Sequence, residues 1–582
     1  MKQRFSPLAL ALLISFPAEA LLLQQGDVQF ELDPATLHIA AGPVPINLAQ
    51  PAQQVTDLTA TPRRASWRWP QRAINVSARL EGGDLRLSFS SDRPQTLNWY
   101  RMPQGETLLL PIGEGSRIPL DNAVWRHYLT TEMTPLDTNW DLKLPLWSLQ
   151  HQGKVYSWLM LTPFSNQIAF ATAQEKLAMR ASHQFNRFNQ QQAFEVLLHV
   201  GNAPLSGARR YRDYLQQNGR FSSLREKIKQ APEGEKLIGA THIYLWGDQL
   251  LAAEDVKDWP GLLHYFASPA AEALRQKMDA ESRSLLLRLA GKTPEGWQQQ
   301  PLIDGINRAL TAQFALGATP DDADFLQAQQ RQAAAVRALA QRELGRWLTP
   351  ADGWGQGLAK PLIDALRQAG LPRLWLGTDN WTAAFLHPQA VAAAKAAGYL
   401  IASYDSYDTA IARGVNDSWL TAQLPTTLRE SCAIVRADGS RKPGFGKQGY
   451  YLNPGCVLPY SQQRMRELVQ LAGLNSLFLD VDGTGMVSDD YQPDHPTGAA
   501  QMAEARNARL AWFSATLKLP LGSEDGNAVT ARSLMFAHGM ETWGFGWGDK
   551  QMNQDKSSPY YLGAWWPNAQ PAFFFRPAKV KQ

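Results

Sequence analysis

The chain has 582 residues, with 57 Lys and Arg against 53 Asp and Glu and a formal net charge of +4. So small a charge on so long a chain excludes a partner held by charge alone, such as bulk nucleic acid, which needs a clustered basic face. Hydrophobic residues at 44% and charged residues at 19% exclude a disordered chain and supply at least one large core. The 20 Trp fit either sugar-facing platforms or a large aromatic core.

At the start, Lys2 and Arg4 precede the apolar run Leu8 to Phe16, which is too short to span a bilayer. Pro17-Ala18-Glu19-Ala20 then supplies small residues for a cleavage site. The pattern predicts a signal peptide over 1–20, a periplasmic or secreted product, and no membrane insertion after cleavage. Residues 21–222 read as a β-sandwich domain. Val28, Phe30 and Leu32 alternate with polar residues, and Ile74 to Leu80 and Leu85 to Phe89 flank the turn Glu81-Gly82-Gly83-Asp84 as a hairpin. Val155 to Leu161 and Phe194 to Val200 read as more buried strands. Trp67, Trp69, Trp99, Trp125, Trp140, Trp147 and Trp158 fall here and are expected mostly in packing. A helix follows near Gly207 to Gln217, and the polar stretch 223–236 reads as a linker.

From 237 to 582 the pattern becomes strand, helix, strand. Leu237 to Trp246 is an apolar strand, and about 250–347 reads as a helical insertion. Leu374 to Leu376, Tyr399 to Ser403, Leu477 to Leu479 and Leu519 to Leu521 are further strands, separated by helices near 362–369, 389–397, 462–471 and 499–515. Strands alternating with helices imply a parallel sheet. The expected fold is therefore multidomain, β then α/β: a sandwich followed by a (β/α)8-type barrel with a helical insertion. Only 58 residues follow Glu524, fewer than three more units need, so the barrel is expected to be incomplete or the chain truncated.

Each of the five strands is followed by an acid: Asp248, Asp379, Asp405, Asp480 and Glu524. In a barrel these positions converge on the C-terminal mouth, where active sites sit. One such Asp is only a turn residue; five in succession indicate a site. No paired His motif, Walker loop, G-x-S-x-G or dinucleotide fingerprint accompanies them. Two carboxylates on different strand ends suit glycoside hydrolysis, one attacking the anomeric carbon and one protonating the departing oxygen. That chemistry requires no cofactor and no metal, and its partner is an oligosaccharide or polysaccharide.

Leu477-Phe-Leu-Asp-Val-Asp-Gly483, followed after a helix by Leu519-Pro-Leu-Gly-Ser-Glu-Asp-Gly526, resembles the core of the glycoside hydrolase family 101 barrel (endo-α-N-acetylgalactosaminidase type) and its relatives in family 129. The resemblance implies a β-sandwich before a barrel and a retaining reaction on α-linked sugars, with an Asp after the fourth strand as nucleophile and a Glu after the fifth as acid/base. It places Asp480 as nucleophile and Glu524 as acid/base. Asp482 is the alternative nucleophile, because alternation sends it to the same side as Asp480 if the strand continues. The chain is far shorter than the multidomain family 101 enzymes, and their sugar-recognising residues do not carry over by motif.

Trp246, Asp248, Asp379, Trp381, Tyr404, Asp405, His538 and Trp543 are further candidates for binding sugar hydroxyls and faces, with packing or capping as the alternative. Export makes a Cys432–Cys456 disulfide the expectation, against two buried free thiols. Leu477 to Thr484 also fits the first motif of haloacid-dehalogenase-like phosphatases, in which Asp480 attacks phosphorus, Asp482 is acid/base and Mg²⁺ assists. A non-catalytic polysaccharide-binding protein is the third reading.

Overall fold

This computed structural model describes residues 20–113, 115–538 and 555–557. The chain divides into two compact units, 1–217 with 541–582, and 218–540. The signal-peptide stretch falls outside the described residues, apart from Ala20. No helix among the described residues is long and apolar enough to cross a membrane.

The first unit consists of antiparallel sheets of four, nine and four strands. The hairpin expected from alternation is present: Ile74–Glu81 pairs with Asp84–Ser91 from Ile74↔Ser91 to Glu81↔Asp84. Gly82 and Gly83 take φ of +57° and +95°, the left-handed conformation that a two-residue hairpin turn needs and that glycine adopts without steric cost. The core is aromatic. Trp99 of one sheet meets Trp147 and Trp158 of the nine-stranded sheet at ring separations of 5.6 and 5.3 Å. Trp67 and Trp69 are buried as well, Trp125 is half-buried, and Trp140 reaches the surface.

The second unit opens with a helix over Leu224–Gln230, started by a Ser223/Glu226 capping box, and a 3₁₀ turn over Pro232–Leu237. The stretch expected as a linker is thus largely helical. Six strands follow: β1 (Thr241–Leu245), β2 (Leu374–Thr378), β3 (Leu400–Asp405), β4 (Leu477–Leu479), β5 (Leu521–Ser523) and β6 (Phe536–Ala537). They pair in chain order and all in parallel.

The sheet is curled. Laid flat, six strands at about 4.8 Å spacing would hold β1 and β6 more than about 20 Å apart. The rings of His242 on β1 and His538 just past β6 are instead 4.9 Å apart. This is a parallel half-barrel. Its outer face packs Leu374, Leu376 and Ile401 against Ala390, Val391 and Ala394 of a crossover helix, Pro388–Ala396. Leu477, Leu479 and Leu521 pack likewise against Leu510 and Phe513 of α2 (Ala499–Leu517), which follows α1 (Pro454–Ala472). The insertion between β1 and β2 is helical as expected, with its own core around Leu262, Phe266, Ile303 and Ile306.

Candidate active site

Alternation along the six strands decides which side chains enter the concave face. Trp375, Leu400, Ala402 and Phe478 point there, with Tyr244, Tyr404 and Phe536 packed against them. Further along the strands on the same face stand Asp379, two steps past Trp375, and Asp480, Glu524 and His538, one step past Phe478, Gly522 and Phe536. The floor is therefore aromatic and the rim carboxylic. The floor is so crowded that a Cβ at Gly522 would overlap the Phe536 ring, so only glycine fits there.

Asp480 is the hub. Its Oδ2 accepts the Tyr404 hydroxyl at 2.6 Å, and its carboxyl is hydrogen-bonded to that of Glu524. Burial pushes Asp480 up to about 6, with the charges of Asp408 and Asp482 adding to it, while the Tyr404 and Glu524 hydrogen bonds oppose the rise. Tyr404 itself is held far above the ordinary tyrosine range, by burial first and the Asp480 charge second, so it remains a donor. Asp379 is also pushed up to about 6, mainly by burial and secondarily by Asp248. Its Oδ1 is buried with no hydrogen-bond partner. Tyr244 feels the charges of Asp480, Asp379 and Glu524 together, so the acids of β2, β4 and β5 converge around it. Its hydroxyl and His538 Nε2 are 2.7 Å apart, and His538 stacks on Phe478 at 4.2 Å.

Three expected site residues lie elsewhere. The expectation for Asp482 assumed that β4 continues, but it stops at Leu479. Val481 takes φ +64°, and the Asp482 N–H donates to the Asp480 carbonyl at 2.7 Å. A left-handed β-branched residue is a backbone outlier of the kind that clusters at functional turns. The turn sends Asp482 to the helical side, where it accepts from Arg506 at 2.8 Å and from Arg509 Nε at 2.9 Å. Arg506 also pairs with Asp408. Asp405 faces the helices too, accepting from Arg464 of α1 at 2.6 Å and from the Tyr407 hydroxyl at 2.7 Å. Trp381 is buried under the Arg464 guanidinium and donates to Gln329 Oε1 at 2.9 Å. These three residues hold helices to the sheet.

Trp246 is 64% exposed and stacked on Tyr244 at 5.7 Å. Asp248 is exposed beside it. Trp543 lies outside the described residues. Cys432 and Cys456 form a disulfide, with Cα atoms 5.5 Å apart, at the base of the long connection between β3 and β4. Among the described residues no group of three or more His, Cys, Asp or Glu is placed to hold a metal ion.

Sequence reasoning missed Tyr244 and Trp419. Tyr244 was within reach, because it lies two residues before Trp246 and so shares its face. Trp419, whose side chain lowers the Tyr404 value slightly against the effect of burial, sits in an irregular stretch with no periodic signal.

Residues 365–582 match the family model described as glycosyl hydrolases related to the GH101 family, GH129. The matched stretch, 218 of the 582 residues, is similar to GH129-type glycoside hydrolases. The GH129 match begins just before β2 and includes both Asp480 and Glu524. Two solved forms of the alpha-N-acetylgalactosaminidase NagBb from Bifidobacterium bifidum share the fold. The ligand-free form is 15% identical, with a TM-score of 0.59 over 94% of this chain and 83% of that one. The GalNAc complex is 14% identical, with a TM-score of 0.58 over 94% and 82%. No curated protein matches the chain.

Proposed function

We propose that this protein is an exported, retaining glycoside hydrolase of α-linked N-acetylgalactosaminides, with Asp480 as nucleophile and Glu524 as acid/base. The observation that carries this reading is the hydrogen-bonded Asp480–Glu524 pair at the rim of the aromatic floor, with Asp480 raised to about 6. Two carboxyls sharing one proton hold the charge state that a double displacement starts from, one ionised and one protonated.

Asp480 attacks the anomeric carbon while Glu524 gives its proton to the departing oxygen. Glu524 then takes a proton from water, the water attacks, and Asp480 leaves. Retaining pairs stand about 5 Å apart, so an entering sugar parts the Asp480–Glu524 hydrogen bond. Tyr404 still donates to Asp480 and keeps it ionised. The unpaired Asp379 Oδ1 is suited to accept a sugar hydroxyl, and Trp246 offers a face for stacking.

The α-N-acetylgalactosaminide follows from the likeness to NagBb, and export from the pattern of residues 1–20. In this reading the curled sheet belongs to a (β/α)8-type barrel over 237–582, preceded by a sandwich over 21–222. The phosphatase alternative needs Asp482 beside Asp480, and its engagement with Arg506 and Arg509 counts against that.

The test is hydrolysis of aryl α- and β-glycosides and of aryl phosphate by wild type, Asp480→Asn and Glu524→Gln. Sugar release from the α-N-acetylgalactosaminide should fall by at least about 10³-fold in Asp480→Asn. Phosphate release that depends on Asp482 and ignores Glu524 would contradict the proposal.

A further inference from the structure

Asp480 and Glu524 stand one residue beyond the ladder that joins their strands. β4 and β5 pair from Leu477↔Leu521 to Leu479↔Ser523, so the two acids are the next pair in register. Pairing stops there, because Val481 turns left-handed. Strand ends released from a sheet run into loops whose spacing the ladder no longer fixes. Here the two turns are joined to each other instead. Gly483 N–H donates to Ser523 Oγ at 2.9 Å, and Asn527 N–H donates to the Gly483 carbonyl at 2.8 Å. Gly485 N–H donates to Thr530 Oγ1 at 2.9 Å. Ser523, Asn527 and Thr530 are fully buried. A Cβ at Gly483 would overlap the Asp525 carbonyl oxygen, so the turns touch at the residue next to Glu524.

One helix anchors both turns. α2 holds the first through Arg506 and Arg509 on Asp482, and the second through Asn507, whose Nδ2 donates to the Val529 carbonyl at 2.8 Å. Alternation sets Ser523 on the side of the sheet opposite Glu524. The Ser523 and Thr530 hydroxyls thus act on backbone N–H groups and not on a substrate. Their effect is on spacing. A double displacement needs its carboxyls about 5 Å apart, whereas about 6.5 Å or more belongs to single displacement. A misplacement of about 1 Å at a reacting centre can cost about 100-fold in rate.

We propose that Ser523 and Thr530 are positioning residues. Their hydroxyls lock the turn of the nucleophile to the turn of the acid/base, and so set the distance between Asp480 and Glu524. The proposal rests on those two carboxylates being the cleaving pair.

The test compares 4-nitrophenyl and phenyl α-N-acetylgalactosaminides. Nitrophenolate departs with little help, whereas phenolate needs the proton of the acid/base. Thr530→Val keeps the shape of the side chain and removes its acceptor oxygen. In that variant the ratio of kcat/KM for the phenyl substrate to that for the nitrophenyl substrate should fall about tenfold. Ser523→Ala should lower it similarly, and Thr530→Ser, which keeps the hydroxyl, should hold the wild-type ratio. The ratio does not depend on the fraction of enzyme that is folded, so lost stability alone leaves it unchanged. An unchanged ratio in either Thr530→Val or Ser523→Ala overturns that residue's role. Glu524→Ala separates this failure from a failure of the cleaving pair. It should lower the ratio by at least about 100-fold. If it does so while Thr530→Val and Ser523→Ala do not, only the positioning role fails. If Glu524→Ala leaves the ratio unchanged, or wild type cleaves neither substrate, the cleaving-pair reading fails and the positioning role falls with it.

Discussion

Asp480 and Asp482 stand two residues apart with opposite duties, and their stabilities should respond in opposite directions. Asp480 is raised to about 6 in the folded protein, against an ordinary value near 3.9. Folding therefore favours its protonated form. That contribution is fully present below about pH 4 and is lost as pH rises through 6. Asp480→Asn, which is neutral at every pH, should be more stable than wild type at pH 8 by up to about 3 kcal/mol, and nearly equal at pH 3.5. Asp482→Asn removes the charge that compensates two buried guanidiniums and should cost about 3 kcal/mol or more at pH 8. Urea midpoints of the two variants at both pH values check this; destabilisation of both by the same amount would contradict the assignment. Tyr404→Phe removes the hydrogen bond that favours ionised Asp480, so the acidic limb of the kcat/KM profile should move to higher pH. The sequence could not separate the two acids. Leu-Phe-Leu-Asp-Val-Asp reads as continuous alternation, and nothing in a valine announces a positive φ.

At the level of elements, the strands were legible where apolar runs end in a polar residue. β1 to β5 lie within or next to the predicted segments, because a buried parallel strand needs a run of apolar residues bounded by turn residues. β6 was not legible: it is two residues long, and residues 524–535, which join it to β5, contain no helix. The β3–β4 connection was visible only as a Gly- and Pro-containing stretch holding both cysteines, since its turns are set by backbone contacts with residues 409–410. Alternation, applied strictly, would have sorted much of the candidate list. Tyr404 and Asp405 are neighbours and must face opposite ways, one toward the carboxylates and one toward Arg464. The closeness of β5 and β6 gives an element-scale prediction. Gly522→Ala places a methyl into the Phe536 ring and should destabilise the second unit by about 1 to 3 kcal/mol. Thermal unfolding of Gly522→Ala, with and without Phe536→Leu to make room, measures this, and the second substitution should recover part of the loss.

Across the whole molecule, curling of the parallel sheet turns scattered acids into a site. Asp379, Asp480 and Glu524 come from positions spread over 145 residues of sequence, yet all three act on one tyrosine, Tyr244. The β-rich first unit and the α/β second unit were both recognisable from the change of period near residue 237, because period two and strand-helix alternation leave different apolar patterns. The central claim is that Asp480 and Glu524 carry out a double displacement, and it is tested most directly by the stereochemistry of the first product. Proton NMR of an aryl α-N-acetylgalactosaminide during early turnover should show the α-anomer of the free sugar first, with the β-anomer growing only by mutarotation. The β-anomer appearing first would mean single displacement, and would contradict the assignment of Asp480 as nucleophile.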